Sequence, residues 1–378
     1  MRVGLVLDHY DPRRGGVEQW TSQFCDYLLG RGDEVHIIAS GFADNLLQPI
    51  VKHRVPPHRS RLAWAAAAET RLRELDFDVV HDMGAGWYCD ILQPHGGCRA
   101  AWFEQSLKML PAWQRSAKGI AARYLPRYRE FEKLSQRQAG GEHLVLALSQ
   151  MTRRDLAERD GVPQDRLRLV YNGVDLQRFS PTHRDQHREP MRRQLGLSDE
   201  TLFLIVAHNL KLKGLPTLLK SMSALMATKA NAHLLVVGNR RTSTFQRQAR
   251  RLGVESHVTF LGPVDDPTAC YAAADVYVQP TCYDCCSLVV LEALASGLPV
   301  ITTSYNGAGE LLTKGRHGYV VDDPFDPAPL ADSMTKLLDG AIRLEMGINA
   351  RALAEQHSFE RNAGEIRDLY DEVVGNRE

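Results

Sequence analysis

Short apolar runs alternate with amphipathic stretches along almost the whole chain. In the first half VGLVL (3–7), EVHIIAS (34–40), DVVHDM (78–83), DILQPHGG (90–97) and HLVLALS (143–149) read as buried strands. Helical patterns run from about Gly16 to Leu29 and over 61–75. The second half repeats the theme with TLFLIVAH (201–208), HLLVVG (233–238), HVTFLG (257–262), DVYVQPT (275–281), LPVITT (298–303) and GYVVD (318–322). Helical patterns cover 214–227 and 243–252. Apolar runs of this kind suit strands covered on both faces. Strands separated by helices make βαβ units and parallel sheets. The pattern predicts an α/β chain with two open, doubly wound domains.

The polar stretch SPTHRDQHREPMRRQ, with two prolines and no apolar period, reads as a linker. The expected domains are 1–180 and 181–356, with a C-terminal helix at about 357–378 packing back on the first. A length of 378 residues suits two domains of roughly 100–200 residues each. In such sheets ligands bind outside the carboxyl ends of the strands. The expected geometry is therefore a cleft shared by the two domains.

Composition adds exclusions. The chain is 44% hydrophobic and 24% charged, as in a soluble globular protein. Lys plus Arg and Asp plus Glu both number 46, so net charge points to no nucleic-acid partner. The first apolar run ends at Asp8, too short for a secretory segment. No stretch approaches the roughly 18 apolar residues that span a bilayer. The expected location is cytoplasmic, with peripheral attachment to the inner membrane face open. Seven cysteines, an odd number, argue against a disulfide framework. Cys282, Cys285 and Cys286 crowd together, yet no second Cys or His pair is spaced to complete a zinc site. No metal and no cofactor are expected.

Candidate chemistry gathers at strand ends. Asp284 follows the strand at 275–281, and Glu292 lies eight positions on, inside a helix expected to begin near Ser287. Two helical turns, roughly 12 Å, separate them. Such a pair can hold the two ends of a sugar nucleotide, Asp284 toward the sugar and Glu292 toward the ribose. The free amides of Ser287, Leu288 and Val289, with the helix dipole, would meet a diphosphate. Ser287 can also cap the helix. Taken alone, the two carboxylates can equally be a helix-start Asp and a surface Glu. Lys213, before Gly214 and after a strand end, fits a phosphate contact or a solvated lysine. Gly15 and Gly16 open a helix after the first strand, either for close backbone approach to a ligand or as a plain turn. They do not form a GxGxxG fingerprint. His95, in Gln93-Pro94-His95-Gly96-Gly97, sits in a rigid loop; a structural histidine is the plainer alternative. His81 ends another strand and stays outside the catalytic set.

Several segments together resemble the retaining glycosyltransferases of family 4. Asp284-x7-Glu292, followed by Ala293 and Gly297-Leu298-Pro299, resembles the family's acidic E-x7-E motif, with Asp for the first Glu. Lys213-Gly214 resembles its Arg…Lys-Gly diphosphate clamp, with His208 where the Arg falls and Lys211 nearby. Tyr171-Asn172-Gly173-Val174-Asp175, with Phe179 and Pro181, resembles its NGVD segment. Arg14-Gly15-Gly16-Val17-Glu18 and Asn306-Gly307-Ala308-Gly309-Glu310 resemble its glycine loop and GG..E turn. The chain looks nearest to the lipopolysaccharide core glucosyltransferase I subgroup.

The resemblance implies a GT-B fold, two Rossmann-like domains facing across a deep cleft. It implies a nucleotide-diphosphate sugar donor, most simply UDP-glucose, and a surface-glycan or lipid-linked acceptor. His95 and Asp284 would be catalytic. His208, Lys213, Glu292, the amides at 287–289, Gly15 and Gly16 would bind the donor, and Gly262 and Val264 would frame the base. A metal-independent, same-face transfer would follow, the leaving diphosphate accepting the acceptor's proton. A nucleotide-sugar-binding protein without transfer, or a GT-B hydrolase or epimerase, is the alternative.

One segment stands apart. Between 108 and 137 lie Lys108, Arg115, Lys118, Arg123, Arg127, Arg129, Lys133 and Arg137 against Glu130 and Glu132. Trp113, Tyr124, Tyr128 and Phe131 are interleaved, and Pro111 and Pro126 break any single helix. Such a stretch can lie on an anionic membrane surface, or pack its aromatics on the domain.

Overall fold

The computed structural model describes residues 1–377, and only the backbone of Ala122 and Arg123. The chain divides into two units, Met1–Tyr171 with the segment from Glu360 on, and Asn172–Phe359. The boundary thus precedes Asn172, earlier than the expected 180/181 break.

The first unit is built on a seven-stranded parallel sheet, of order β5-β3-β1-β6-β7-β8-β9. Its strands are β1 (Arg2–Val6), β3 (Glu34–Ala39), β5 (Val51–Arg54), β6 (Val79–Asp82), β7 (Ile91–Leu92), β8 (Leu144–Ala147) and β9 (Leu167–Leu169). A small pair, β2 (His9–Tyr10) and β4 (Gly41–Phe42), lies beyond β1 and β3. The helices are α1 (Gly16–Gly30), α2 (Arg61–Arg73), α3 (Arg99–Lys108), α4 (Ala112–Tyr124), α5 (Pro126–Gly140) and α6 (Gln150–Arg159). Central strands read as unbroken apolar runs because helices cover both faces; Val3, Leu5, Ile37, Ile38 and Val79 are fully buried. The edge strand β5, VKHR, is largely exposed and carries no apolar signal.

The second unit holds a six-stranded parallel sheet, of order β12-β11-β10-β13-β14-β15. Its strands are β10 (Thr201–Val206), β11 (Ala232–Val237), β12 (Val258–Gly262), β13 (Val276–Gln279), β14 (Val300–Thr303) and β15 (Gly318–Val321). Helices α7 (His183–Gln194), α8 (Leu215–Ala227), α9 (Ser243–Arg251), α10 (Thr268–Ala273), α11 (Leu288–Ala295), α12 (Pro327–Lys336) and α13 (Gly340–Glu355) surround it. Phe203, Leu218, Met222, Leu234, Val276 and Ile301 make its core. The last helix, α14 (Phe359–Gly375), returns from Glu360 to the first unit.

Two expectations change here. The polar stretch expected to be a linker is the helix α7. Arg184, Arg188 and Arg192 fall on one helical face and meet Asp275 at 3.5, 2.8 and 3.3 Å. Asp275 also accepts from the Leu202 amide at 2.8 Å, so the cluster pins α7 beside β10 and β13. Charge rather than apolar burial docks this helix. The patch expected as a strand over 90–97 is only β7; the rest is a loop.

Each sheet reverses its order once. Strands on either side of that point send their following chains to opposite faces and leave a crevice at the carboxyl edge. In the first unit it lies between β1 and β6, paired from Val3 with Val79 to Val6 with Asp82. In the second it lies between β10 and β13, where Phe203 pairs with Val276.

Candidate active site

In the second unit the switch point collects most of the expected residues. The loop after β10 carries His208, Lys211 and Lys213. Its turn needs glycine: Gly214 has φ +83°, and a Cβ there would stand 2.0 Å from the Pro280 carbonyl oxygen. The Cys282 amide donates to the Leu212 carbonyl at 2.9 Å, tying this loop to the one after β13. The two loops bring the Lys213 ammonium onto the Asp284 carboxylate as an ion pair. Both side chains keep some exposure, 21% and 15%, so the ammonium can still offer hydrogens to an anion. Asp284 therefore does not present a free carboxylate; half of it is engaged by the lysine.

Its backbone is fixed from the other side. The Asp284 amide donates to the Tyr305 carbonyl at 2.9 Å, and the Gly307 amide donates to the Asp284 carbonyl at 2.9 Å. Buried Asn306 accepts from the Ser287 amide at 3.3 Å and from the Ala308 amide at 3.1 Å. Asn172 donates to the Cys286 carbonyl at 2.7 Å.

The helix start differs from expectation in two respects. The Ser287 amide is taken by Asn306, so of the three expected amides only those of Leu288 and Val289 donate to no described group. The Ser287 hydroxyl donates to Gln279 at 3.0 Å and does not cap α11. Gln279 sits directly below on β13 and competes successfully for that hydroxyl.

Glu292 is buried, 8% exposed, on α11. It accepts from the Tyr271 hydroxyl at 2.7 Å. Burial pushes its pKa up, and the tyrosine bond opposes that shift only in part. It is no surface carboxylate. One oxygen is held by α10 and the group is oriented before any ligand arrives. Gly262 ends β12 with φ +84°, its carbonyl accepting from the Gly238 amide at 2.8 Å, and Val264 is half-buried just beyond.

The first unit collects the rest. α1 starts at Gly16, and its Trp20 ring lies 5.1 Å from that of His95. Gly15 is extended, φ −176°, a conformation open to any residue, so the glycine pair is not demanded by backbone geometry. His95 follows Pro94 in a turn closed by the Gly97 amide and the Pro94 carbonyl at 2.7 Å. Burial lowers its pKa to about 3, and its Nε2 has no protein partner. A group so placed is a neutral hydrogen-bonding imidazole, not a cation. His81 lies alongside, its Nδ1 2.8 Å from the Tyr370 hydroxyl, with its pKa also lowered by burial to about 3. Gln93, buried between strand end and loop, leaves both side-chain atoms unpartnered.

All seven cysteines are free, and no cluster of metal-ligating side chains occurs among the described residues. Tyr271, Gln279 and Tyr370 escaped sequence reading, and Asn306 was named only as part of the glycine turn. Tyr271 and Tyr370 act through partners 21 and 289 residues away, where no local spacing marks them.

The chain is similar to known proteins. Residues 187–353 match the family of glycosyl transferases group 1, and residues 14–178 match glycosyltransferase family 4. The D-inositol 3-phosphate glycosyltransferase of Corynebacterium glutamicum (strain R) is 30% identical over 422 aligned residues, covering 100% of this chain and 98% of that protein. The lipopolysaccharide glucosyltransferase WaaG of Escherichia coli (strain K12) is 28% identical over 367 residues, covering 94% of each. The crystal structure of WaaG, a glycosyltransferase involved in lipopolysaccharide biosynthesis, has a TM-score of 0.82 at 22% identity over 97% of this chain and 99% of that one. A structure of Anabaena Alr3699/HepE in complex with UDP-glucose has a TM-score of 0.76 at 18% identity over 98% of this chain and 100% of that one. Two parallel-sheet α/β units of this kind define a GT-B glycosyltransferase. The chain belongs to glycosyltransferase family 4 and is a glycosyltransferase enzyme.

Proposed function

We propose that the enzyme is a retaining, metal-independent hexosyltransferase that moves glucose from UDP-glucose to a surface-glycan acceptor of lipopolysaccharide type. The observation that carries this reading is the meeting of Lys213, Asp284 and the open Leu288 and Val289 amides at one sheet switch point. A pyrophosphate needs fixed positive charge, and an ammonium beside a helix N-terminus supplies it. Glu292 suits a ribose hydroxyl pair, and Gly262 with Val264 suits the base. The naming of WaaG as a lipopolysaccharide glucosyltransferase and of HepE as a UDP-glucose complex supports donor and acceptor class.

The chemistry is one of positioning. The bond from the anomeric carbon to the diphosphate oxygen breaks. The acceptor hydroxyl attacks from the same face, and its proton passes to the departing diphosphate. Lys213 and the two amides stabilise that diphosphate. Asp284 holds Lys213 and the sugar. His95, neutral, orients a sugar hydroxyl.

The test starts with calorimetry on UDP, GDP and ADP, in which UDP binds most tightly. Lys213→Ala weakens UDP binding about tenfold or more, the worth of one charge-assisted contact. His95→Ala keeps UDP affinity and lowers kcat on UDP-glucose by about 100-fold. GDP or ADP binding in preference to UDP would overturn the donor. Normal turnover by both His95→Ala and Asp284→Asn would overturn the catalytic assignment.

The segment over 108–137 supports a second element of the proposal, peripheral attachment to an anionic membrane. On α4, Trp113, Ile120 and Tyr124 are 72%, 60% and 71% exposed. At 100° per residue the latter two fall within about 20° of Trp113, making one apolar stripe. The other aromatics are spent on the fold: Phe131 lies under Arg61 and Arg99, and Tyr128 packs on Phe103. Several cations are engaged as well. Arg115 donates to the Leu110 and Lys108 carbonyls, Lys118 to Ser106, and Arg137 covers Trp87. The Arg123 side chain lies outside the described residues. The apolar stripe, more than the charge count, is the feature suited to a bilayer surface. No helix among the described residues is long and apolar enough to cross a membrane.

A further inference from the structure

We propose that Arg240 and Arg241, on the loop after β11, bind the donor's diphosphate and supply the cation that His208 does not. The inference rests on the UDP-sugar reading above and adds two residues to it. In the sheet order β11 lies between β12 and β10. Its loop therefore emerges between the Gly262–Val264 turn, assigned to the base, and the His208–Lys213 loop, assigned to the diphosphate. A ligand joining those two places passes this loop.

The loop is built to stay close. Gly238 has φ +118°, and a Cβ there would stand 2.6 Å from the Ala207 carbonyl oxygen, so only glycine lets the two chains approach. The Gly238 amide donates to the Gly262 carbonyl at 2.8 Å, and the Asn239 side-chain amide donates to the His208 carbonyl. The Arg241 amide donates to the Asn239 side-chain oxygen at 2.6 Å, holding the two arginines at the end of that bridge.

Charge completes the case. Arg240 and Arg241 are both exposed, and among the described residues neither guanidinium has an ion-pair or hydrogen-bond partner. No acidic side chain occurs over 239–244, whereas on the neighbouring loop Lys213 shares its charge with Asp284 and Lys211 is exposed. Some other arginines of this unit are neutralised, as Arg178 is by Asp266 and Arg250 by Glu255. Two unneutralised guanidinium forks beside an anion-binding loop suit the oxygens of a diphosphate.

The experiment compares UDP with uridine by titration calorimetry on the full chain, wild type against Arg240→Ala/Arg241→Ala. Arg247→Ala, on the exposed face of α9, serves as the control. The expected result is a loss of UDP affinity of about tenfold or more in the double variant, with uridine affinity unchanged and Arg247→Ala like wild type. Unchanged UDP affinity in the double variant overturns the inference. Equal losses for UDP and uridine also overturn it, since the contact would then be to the nucleoside. A wild-type chain that binds no UDP overturns the functional reading itself, a result the first arm separates from the second.

Discussion

His81 and His95 stand at the carboxyl ends of β6 and β7, and burial lowers the pKa of each to about 3. The ordinary value is 6.5, which the unfolded chain regains. From pH 6.5 down to about 3 the unfolded chain therefore binds protons that the folded chain does not. Their contribution to stability is complete above pH 6.5 and is lost as the pH falls through that window. The melting temperature should drop between pH 6.5 and pH 4, and His81→Gln should flatten the decline. An equally steep decline in the variant would remove His81 from the account. In the proposed mechanism the sign also matters: a neutral His95 would leave the transition-state charge to Lys213 and the helix amides.

The placement of candidate residues at strand ends was legible where residue type, strand end and glycine coincided, as at Lys213-Gly214, Asp284 and His95. They were illegible where the partner came from another element. Glu292 reads as a surface carboxylate until Tyr271, on the preceding helix α10 and 21 residues earlier, is placed against it. Ser287 reads as a cap until Gln279 takes its hydroxyl.

Elements were legible in proportion to their apolar period. α1, α8 and α9 fell within a residue or two of expectation, because each carries an apolar stripe. α7 did not, because its only period is the arginine spacing of Arg184, Arg188 and Arg192 on Asp275. A helix docked by charge leaves no hydrophobic trace. α4 is the converse, since its apolar stripe faces outward. Apolar area left open in water costs about 25 cal/mol per Å², and a bilayer surface recovers it. Flotation with anionic vesicles should therefore fall sharply for Trp113→Ser/Ile120→Ser/Tyr124→Ser. A smaller loss is expected for reversal of Lys108, Lys133 and Arg129. Unchanged flotation of the triple variant would dismiss the stripe, and loss confined to the charge variant would make attachment electrostatic alone.

At the scale of the whole chain, the fold is discontinuous in sequence. α14 follows the second unit and, from Glu360 on, completes the first. Its polar side chains serve that unit: Asn362 accepts from the Trp20 indole at 3.0 Å and donates to the Tyr171 carbonyl at 2.7 Å. Arg367 meets Asp33 at 3.3 Å, which also holds the amino terminus at 2.7 Å. Tyr370 is fully buried against Phe24 and His81. The residues that fasten α14 were not legible in the sequence, since their partners lie some 190 to 340 residues away. The aromatic chain from Tyr370 through Phe24 and Trp20 ends on His95, so α14 bears on the candidate catalytic loop. Tyr370→Ala should cost about 3–5 kcal/mol, the range for emptying an aromatic site. Asn362→Ala, which removes both hydrogen bonds, should cost about 1–3 kcal/mol. Amide exchange would locate both losses. Protection should fall in β1, β6 and α1 while β10, β11 and β13 keep theirs. Equal loss in both sheets would show that α14 does not belong to the first unit's core alone.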